Sequence, residues 1–380
     1  MTTVAVDSVD ALRDCVREAA DRRAALRVVG RGTWLDAGRP VVASESVSTR
    51  ELAGITEYVP GDLTLTARAG TTLQEIRVAA EAHDQWLALD PYGSEEGTLG
   101  ATIATASAGP LSTSFGTPRD LMLGVEFVTG EGVVVRGGGR VVKNVAGFDL
   151  TRLVTGSWGS LGVITEATVR LHARPEADET IAVRLDDSDG VARTRELLRR
   201  LPFTPYACEI VNATAAWPLV AVDASAAIIR LGGNRDAVAA QRAAFAALGP
   251  ITEVDTDVWR RLRTAAGAGS LVFRLSARSS EIARVWTFAC AVAGECAGTV
   301  LGASPARGIV RCVVPDGASA VESLRRLWKD SAVTRVGERL PPDLWPACSA
   351  PPASDRISAG IKRTFDPHGV LNPGIFGERS

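Results

Sequence analysis

Lysine is almost missing from this 380-residue chain. It occurs only at Lys143, Lys329 and Lys362, and arginine supplies nearly all the positive charge. With a net charge of −2, nothing favours nucleic acid or an anionic membrane as a partner. Histidine is as scarce, at His83, His172 and His368. The six cysteines (15, 208, 290, 296, 312 and 348) form no Cys-x-x-Cys pair. The usual zinc and iron–sulfur spacings are therefore absent, and no metal is expected. No apolar run approaches the roughly eighteen residues that span a bilayer, so no transmembrane segment is expected. The first residues lack the basic n-region of a signal peptide. The expected compartment is a reducing cytoplasm, with the cysteines as small buried hydrophobes. A composition of 46% apolar and 23% charged residues describes a globular chain of about two or three domains.

Glycine, by contrast, is plentiful, and it is densest between Gly137 and Glu166. There Gly156, Gly159 and Gly162 recur every third residue, flanked by Leu150, Leu153 and Val154 before and Leu161, Val163 and Ile164 after. Glycine at this density costs folding entropy. Two readings follow: a sharp turn between core elements, or a loop lying against a flat or phosphorylated ligand.

In chain order, Ser8 caps a helix over 8–22 that sets Val9, Leu12, Cys15, Val16 and Ala19 on one face. A short strand, Leu26 to Val29, enters Gly30-Arg31-Gly32-Thr33-Trp34. Leu35 replaces the third glycine of a dinucleotide fingerprint, and Asp36, Gly38 and Pro40 break any following helix. A nest of backbone N–H groups able to hold a pyrophosphate remains open to it. Thr64 to Ala69 alternates as a strand, and Thr72 with Glu75 makes a capping box for a helix reaching Ala82. Gly97-Thr98-Leu99-Gly100-Ala101 and the small residues from Thr102 to Ala108 leave room for a bulky planar group, or for two closely crossing elements. Gly116 to Asp120 reads as a turn. A hairpin then follows, with strands Leu121–Thr129 and Val133–Arg136 around Gly130-Glu131-Gly132. Ile164 to Leu171 is a further strand.

Beyond Pro175 a unit recurs, an apolar strand with arginine at its fourth position: Arg184, Arg230, Arg274 and Arg311. Helices are expected near 190–200, 235–247, 279–292 and 317–328, giving a sheet with helices on one side. Alternation turns the four arginines away from their apolar neighbours onto the solvent face. They serve there either as solvated side chains whose stems cover the sheet or as a basic surface for substrate or partner. A helix over 355–365 stops at Asp366-Pro367.

The pieces, in this order, resemble the vanillyl-alcohol oxidase/PCMH-type FAD-binding flavoproteins. The carriers are Gly30 to Thr33, Thr98-Leu99-Gly100, Gly116-x-x-Arg119-Asp120, Lys143 to Leu150, Gly156 to Glu166 and Phe365 to Gly374. Gly138 to Asn144 and Ala108-Gly109-Pro110 make the chain most similar, within that family, to the FAD-binding subunits of bacterial glycolate oxidases. The resemblance implies an α+β fold. It has a two-subdomain PCMH-type FAD-binding domain over 1–173 (subdomains about 1–50 and 51–173) and an α/β cap domain over 174–345 with a mainly antiparallel sheet. Segment 346–380 returns to the FAD domain.

The resemblance also implies FAD as cofactor. Gly30, Arg31, Gly32, Thr33 and Trp34 would surround its pyrophosphate, with Pro91, Thr98, Leu99, Gly100, Thr105, Ser107 and Gly109 from the second glycine stretch. Arg119 and Asp120 belong to the implied set. Gly156, Ser157, Gly159, Gly162, Val163 and Ile164 would flank the adenine half and the flavin, and Asn372 would join them from the tail. Ala101 replaces a usual glycine, and Trp158 is bulkier than the family's residue there. No histidine stands in the first loop or between Leu89 and Phe115, so the FAD is expected to be non-covalent.

Oxidising a 2-hydroxy acid requires a cation for the carboxylate and a base for the hydroxyl proton, commonly arginine and histidine. Region 174–345 contains no histidine. Lys143 is the candidate catalytic group beside the flavin; the other reading is a lysine exposed on a loop. The expected function is the FAD-binding subunit of a glycolate oxidase/dehydrogenase complex. Its expected partners are a larger FAD-binding subunit and an iron–sulfur subunit, so association with a membrane would come through partners. Two alternatives stay open: a self-sufficient 2-hydroxy-acid dehydrogenase of D-lactate type, and a scaffold without flavin.

Overall fold

The computed structural model describes residues 2–139, 148–186, 189–329, 333–348 and 355–377. The chain forms two compact units, one of Met1–Ala108, Gly116–Arg174 and Pro351–Ser380, the other of Gly109–Phe115 and Pro175–Ala350.

In the first unit, helix Val9–Arg22 starts at Ser8, whose hydroxyl accepts the Ala11 N–H. Its Leu12, Val16 and Ala19 pack with Leu26 and Val47. The sheet beneath is parallel, in the order Thr2–Ala5, Glu45–Ser48, Leu26–Val29. The outer strand continues through a parallel bridge from Leu26 to Leu371. A second, antiparallel sheet runs Ile55–Val59, Thr64–Arg68, Val163–Arg170, Met122–Val128, Val134–Gly138. Helices Leu73–Glu81 and Leu99–Thr105 bury Ile76, Leu99 and Ile103 with its Leu65, Phe127 and Val169. The capping box forms: Thr72 Oγ1 accepts the Glu75 N–H at 3.1 Å, and Glu75 accepts the Thr72 N–H at 2.7 Å. Those Thr72 hydrogen bonds hold the Glu75 carboxyl below its ordinary range.

The expected turn at Gly116–Asp120 is instead a short helix, Pro118–Leu121. Pro118 presets the helical φ at the first turn, and Asp120 accepts the Thr117 N–H at 2.8 Å.

The second unit is built on an eight-stranded antiparallel sheet with edges Ile251–Val254 and Thr334–Arg339. Helices Gly190–Arg200, Arg235–Phe245, Ile282–Glu295 and Ala318–Lys329 lie at the stretches expected. They bury Ile181, Ile229, Phe273, Leu301 and Cys312. The expectation of helices on one face alone is corrected. Helices Ala213–Val220 and Val258–Arg263 cover part of the other face, over Ala207, Val211 and Ile228. Strand Ala207–Val211 is buried at every position, and a strand covered on both faces loses clean alternation.

The solvent-face expectation for the arginines is corrected with it. The Arg184 side chain is 45% exposed, but that of Arg311 only 6%. Alternation did place Arg311 opposite the main core, but this stretch of the second face is closed. Arg311 Nε lies 3.0 Å from Glu338 Oε2, and Arg274, opposite Arg311 on the neighbouring strand, puts Nε 2.9 Å from Oε1. Burial pushes the Glu338 carboxyl up, and the Arg311 and Arg274 guanidiniums outweigh it, holding the group below its ordinary range. Cys208, Cys296, Cys312 and Cys348 are buried, Cys15 is half-buried and Cys290 is exposed. Among the described residues, no helix is long and apolar enough to cross a membrane.

Candidate functional site

A long groove opens in the first unit, with about 1100 Å³ between its walls, open mouth included. One wall is the end of strand Leu26–Val29 and the loop Gly30–Leu35. The second carries Pro91–Ser94, Gly97, Gly100, Ala101, Thr105 and Ser107. The third carries Trp158, Gly159, Gly162, Val163 and Ile164, and the tail adds Asn372 and Ile375.

The walls approach because of their smallest residues. A Cβ on Gly30 would lie 2.7 Å from Thr98 Oγ1, so only glycine lets the first loop touch the second there. The third wall turns at Trp158 (φ 52°) and Gly159 (φ 70°), two consecutive left-handed residues. Gly156 N–H donates to Ile103 O at 3.0 Å and Trp158 N–H to Ala104 O at 2.7 Å, which ties this wall to helix Leu99–Thr105. Trp158 stacks on Trp34, with ring centroids 6.3 Å apart and planes inclined by 24°. Two half-buried indoles thus present aromatic surface to the groove.

The charge and donor inventory suits a diphosphate. Among the described residues, none that lines the groove is acidic, and Arg27 and Arg31 supply positive charge. Among the described residues, no protein acceptor takes up the backbone N–H groups of Gly30, Arg31, Gly32 or Thr33. Successive open amides of this kind form an anion-binding concavity. The second wall differs. Leu99 N–H donates to Thr71 O and Gly100 N–H to Ala69 O, each at 2.9 Å, and Ala101 N–H to Thr98 Oγ1 at 3.3 Å. Its leading amides are spent on protein, so it contributes close approach rather than phosphate donors.

Of the residues singled out in the sequence, the groove gathers Gly30, Arg31, Gly32, Thr33, Trp34, Pro91, Gly100, Thr105, Ser107, Gly159, Gly162, Val163, Ile164 and Asn372. Thr98 and Leu99 lie behind it as helix cap and core. Gly156 and Ser157 shape the turn beneath the third wall. Arg119 and Asp120 belong to the short helix Pro118–Leu121. There the Thr117 N–H and hydroxyl hold the Asp120 carboxyl low, a capping duty. Gly109 belongs to the second unit, where its carbonyl accepts the Ser112 N–H at 3.2 Å. Lys143 lies outside the described residues. Sequence reasoning missed Tyr92, Gly93 and Ile375 as lining residues. Gly93 sits at φ 107°, and a glycine two residues after Pro91 was the available signal.

The FAD binding domain family matches residues 2–138, the stretch that supplies two of the three walls. The chain is 35% identical to glycolate oxidase subunit GlcE of Escherichia coli over 260 residues, covering 68% of this chain and 69% of that protein. The chain belongs to the FAD-binding flavoprotein family. It is an FAD-dependent oxidoreductase of that family, and the groove's open amides, two arginines and lack of acids fit the cofactor. Glycolate oxidase subunit GlcD of Bacillus subtilis is 34% identical over 166 residues, which cover 43% of this chain and only 35% of that relative. Among solved structures, p-cresol methylhydroxylase with substrate bound superposes with a TM-score of 0.77 at 16% identity, over 99% of this chain and 88% of that one. The likeness at that identity is one of fold.

Proposed function

We propose that this chain is the FAD-binding subunit of a glycolate oxidase/dehydrogenase complex. The complex oxidises glycolate to glyoxylate and passes the electrons through a larger flavoprotein subunit and an iron–sulfur subunit. The observation that carries the reading is the lack of any histidine over 174–345 in a chain similar to a glycolate oxidase subunit over two thirds of its length. Bound FAD would supply the two-electron acceptor. The chain's own residues would hold it: the Gly30–Thr33 amides and Arg31 would bind its diphosphate, and Trp34 and Trp158 would screen it from water. In the second unit, neither Glu253 nor Glu209 suits the task of proton acceptor. Glu253 is 77% exposed and paired with Arg242 at 2.9 Å, whereas Glu209 is buried within strand Ala207–Val211 and accepts a hydrogen bond from Ser304.

A general base is worth a factor of about 10² to 10⁴ in rate. Anaerobic stopped-flow at about 450 nm, the oxidised-flavin band, should show slow bleaching by glycolate in the isolated chain and fast bleaching once the larger flavoprotein subunit is added. Rapid, saturable bleaching of the chain alone would replace this reading with a self-sufficient dehydrogenase.

The FAD is held without a covalent bond. Among the described residues, the groove lining contains no histidine or cysteine, the side chains that commonly tether flavins. Acid precipitation should leave the yellow colour in the supernatant; flavin fluorescence that stays with the denatured band on a gel would refute it.

A further inference from the structure

Two polar side chains of the C-terminal segment hold the groove's third wall through bonds to protein backbone. Lys362, on helix Arg356–Phe365, donates from Nζ to Ser160 O at 2.8 Å, Leu371 O at 3.1 Å and Asp366 Oδ2 at 2.6 Å. The Asp366 side chain is wholly buried. It also accepts the Val370 N–H at 3.0 Å and the Leu371 N–H at 2.9 Å. One residue further on, Asn372 Oδ1 accepts the Val28 N–H at 2.7 Å and Nδ2 donates to Trp158 O at 2.6 Å. The tail therefore lies bonded to strand Leu26–Val29 on one side and to Trp158–Ser160 on the other. Asn372 (φ 45°) and Trp158 (φ 52°) are both left-handed. Asparagine tolerates that conformation, but tryptophan holds it at a cost, so the bonds around Trp158 must enforce it.

We infer that Asn372 and Lys362 are positioning residues for FAD. Asn372 sets the distance between the phosphate-binding loop's strand and the Trp158–Gly159 turn. Lys362 fixes the tail that carries Asn372 by holding Asp366, Leu371 and Ser160 together. Each end of the Asn372 amide bonds one backbone group of the protein, and through those two bonds the residue sets the wall's shape. This inference rests on the FAD assignment and not on the glycolate reading: failure of glycolate to bleach the flavin leaves it untouched.

The test is FAD titration of the deflavinated full chain, followed by flavin fluorescence well below each variant's unfolding midpoint. Asn372→Gly keeps the left-handed bend and deletes both hydrogen bonds. Asn372→Asp keeps the acceptor for Val28 and sets a carboxylate oxygen against Trp158 O. Asn372→Gly should raise the FAD dissociation constant by at least about tenfold, the worth of one well-formed hydrogen bond, and Asn372→Asp should raise it further. Phe273→Leu, deep in the second unit's core, is the control: it lowers the unfolding midpoint and leaves FAD affinity unchanged, which separates positioning from general stability. The double variant Lys362→Met with Asp366→Asn avoids an unpaired buried carboxylate and should weaken FAD by a similar factor. FAD affinity within twofold of the native chain in Asn372→Gly would overturn the role of Asn372, and the same result in the double variant would overturn that of Lys362. An Asn372→Gly chain that fails to fold would also overturn it, placing the joint in the fold and not in cofactor positioning.

Discussion

Gly159→Val should yield a folded chain that purifies without colour. Gly159 sits at φ 70°, and a Cβ there would lie 3.0 Å from Asn372 Nδ2 and 3.4 Å from Val28 Cβ. A left-handed backbone costs an ordinary residue roughly 1–2 kcal/mol, and a β-branched one adds stiffness at χ1. The neighbours that must yield are the joint between Asn372 and Val28, so the strain falls on the groove wall and not on a core. The ratio of flavin to protein absorbance after gel filtration should fall close to zero while circular dichroism still shows a cooperative melt. A stoichiometrically yellow variant would mean that the turn at 156–162 does not touch the cofactor.

Glu338→Gln should cost about 3–5 kcal/mol of stability, the penalty for removing one partner of a buried charge network. The carboxylate lies between two arginines that face one another on adjacent strands, Arg311 almost wholly buried and Arg274 with 36% of its side chain exposed. Without it, the buried guanidinium of Arg311 loses the Glu338 charge beside a second cation. The pH dependence has a definite direction. The Glu338 carboxyl titrates below its ordinary range in the folded chain. Its contribution is therefore complete above the unfolded value of about 4.3 and is lost as pH falls through the folded value. Urea unfolding at neutral pH should show the deficit, and the gap between native and variant should close in acid. A change under about 1 kcal/mol at neutral pH would show that the pair does no more than an exposed salt bridge.

Features encoded within a few residues were legible in the sequence. The Ser8 cap, the Thr72–Glu75 box and the hairpin around Gly130–Gly132 each depend on neighbours three or four positions apart. Strands Thr2–Ala5 and Glu45–Ser48 were not. Each is four residues long and finds its partner some forty positions away, so nothing local marks it. Arg311 shows the limit of alternation, which assigns a face but cannot say what covers that face. Density of glycine pointed to the groove, yet not to which amides stay open. Gly30 to Thr33 and Leu99 to Ala101 look alike as small-residue loops, and only the fold shows that the second set is already bonded to Thr71, Ala69 and Thr98. Asn372 was placed at the cofactor by resemblance; its two backbone partners, Val28 and Trp158, emerge only when chain positions hundreds of residues apart meet.

The tail's bonds also impose an order on biosynthesis. Leu26, Val28, Trp158 and Ser160 leave the ribosome before residues 175–350, and Lys362 to Asn372 leave after them. A nascent chain emerges from its N-terminal end at a few to tens of residues per second, so for roughly ten seconds or more two sides of the groove exist without the piece that joins them. Flavin would then be a late guest, fully seated only once the whole second unit has been translated, and a stalled product would carry its phosphate loop and a third wall held by helix Leu99–Thr105 alone, without the Asn372 link between them.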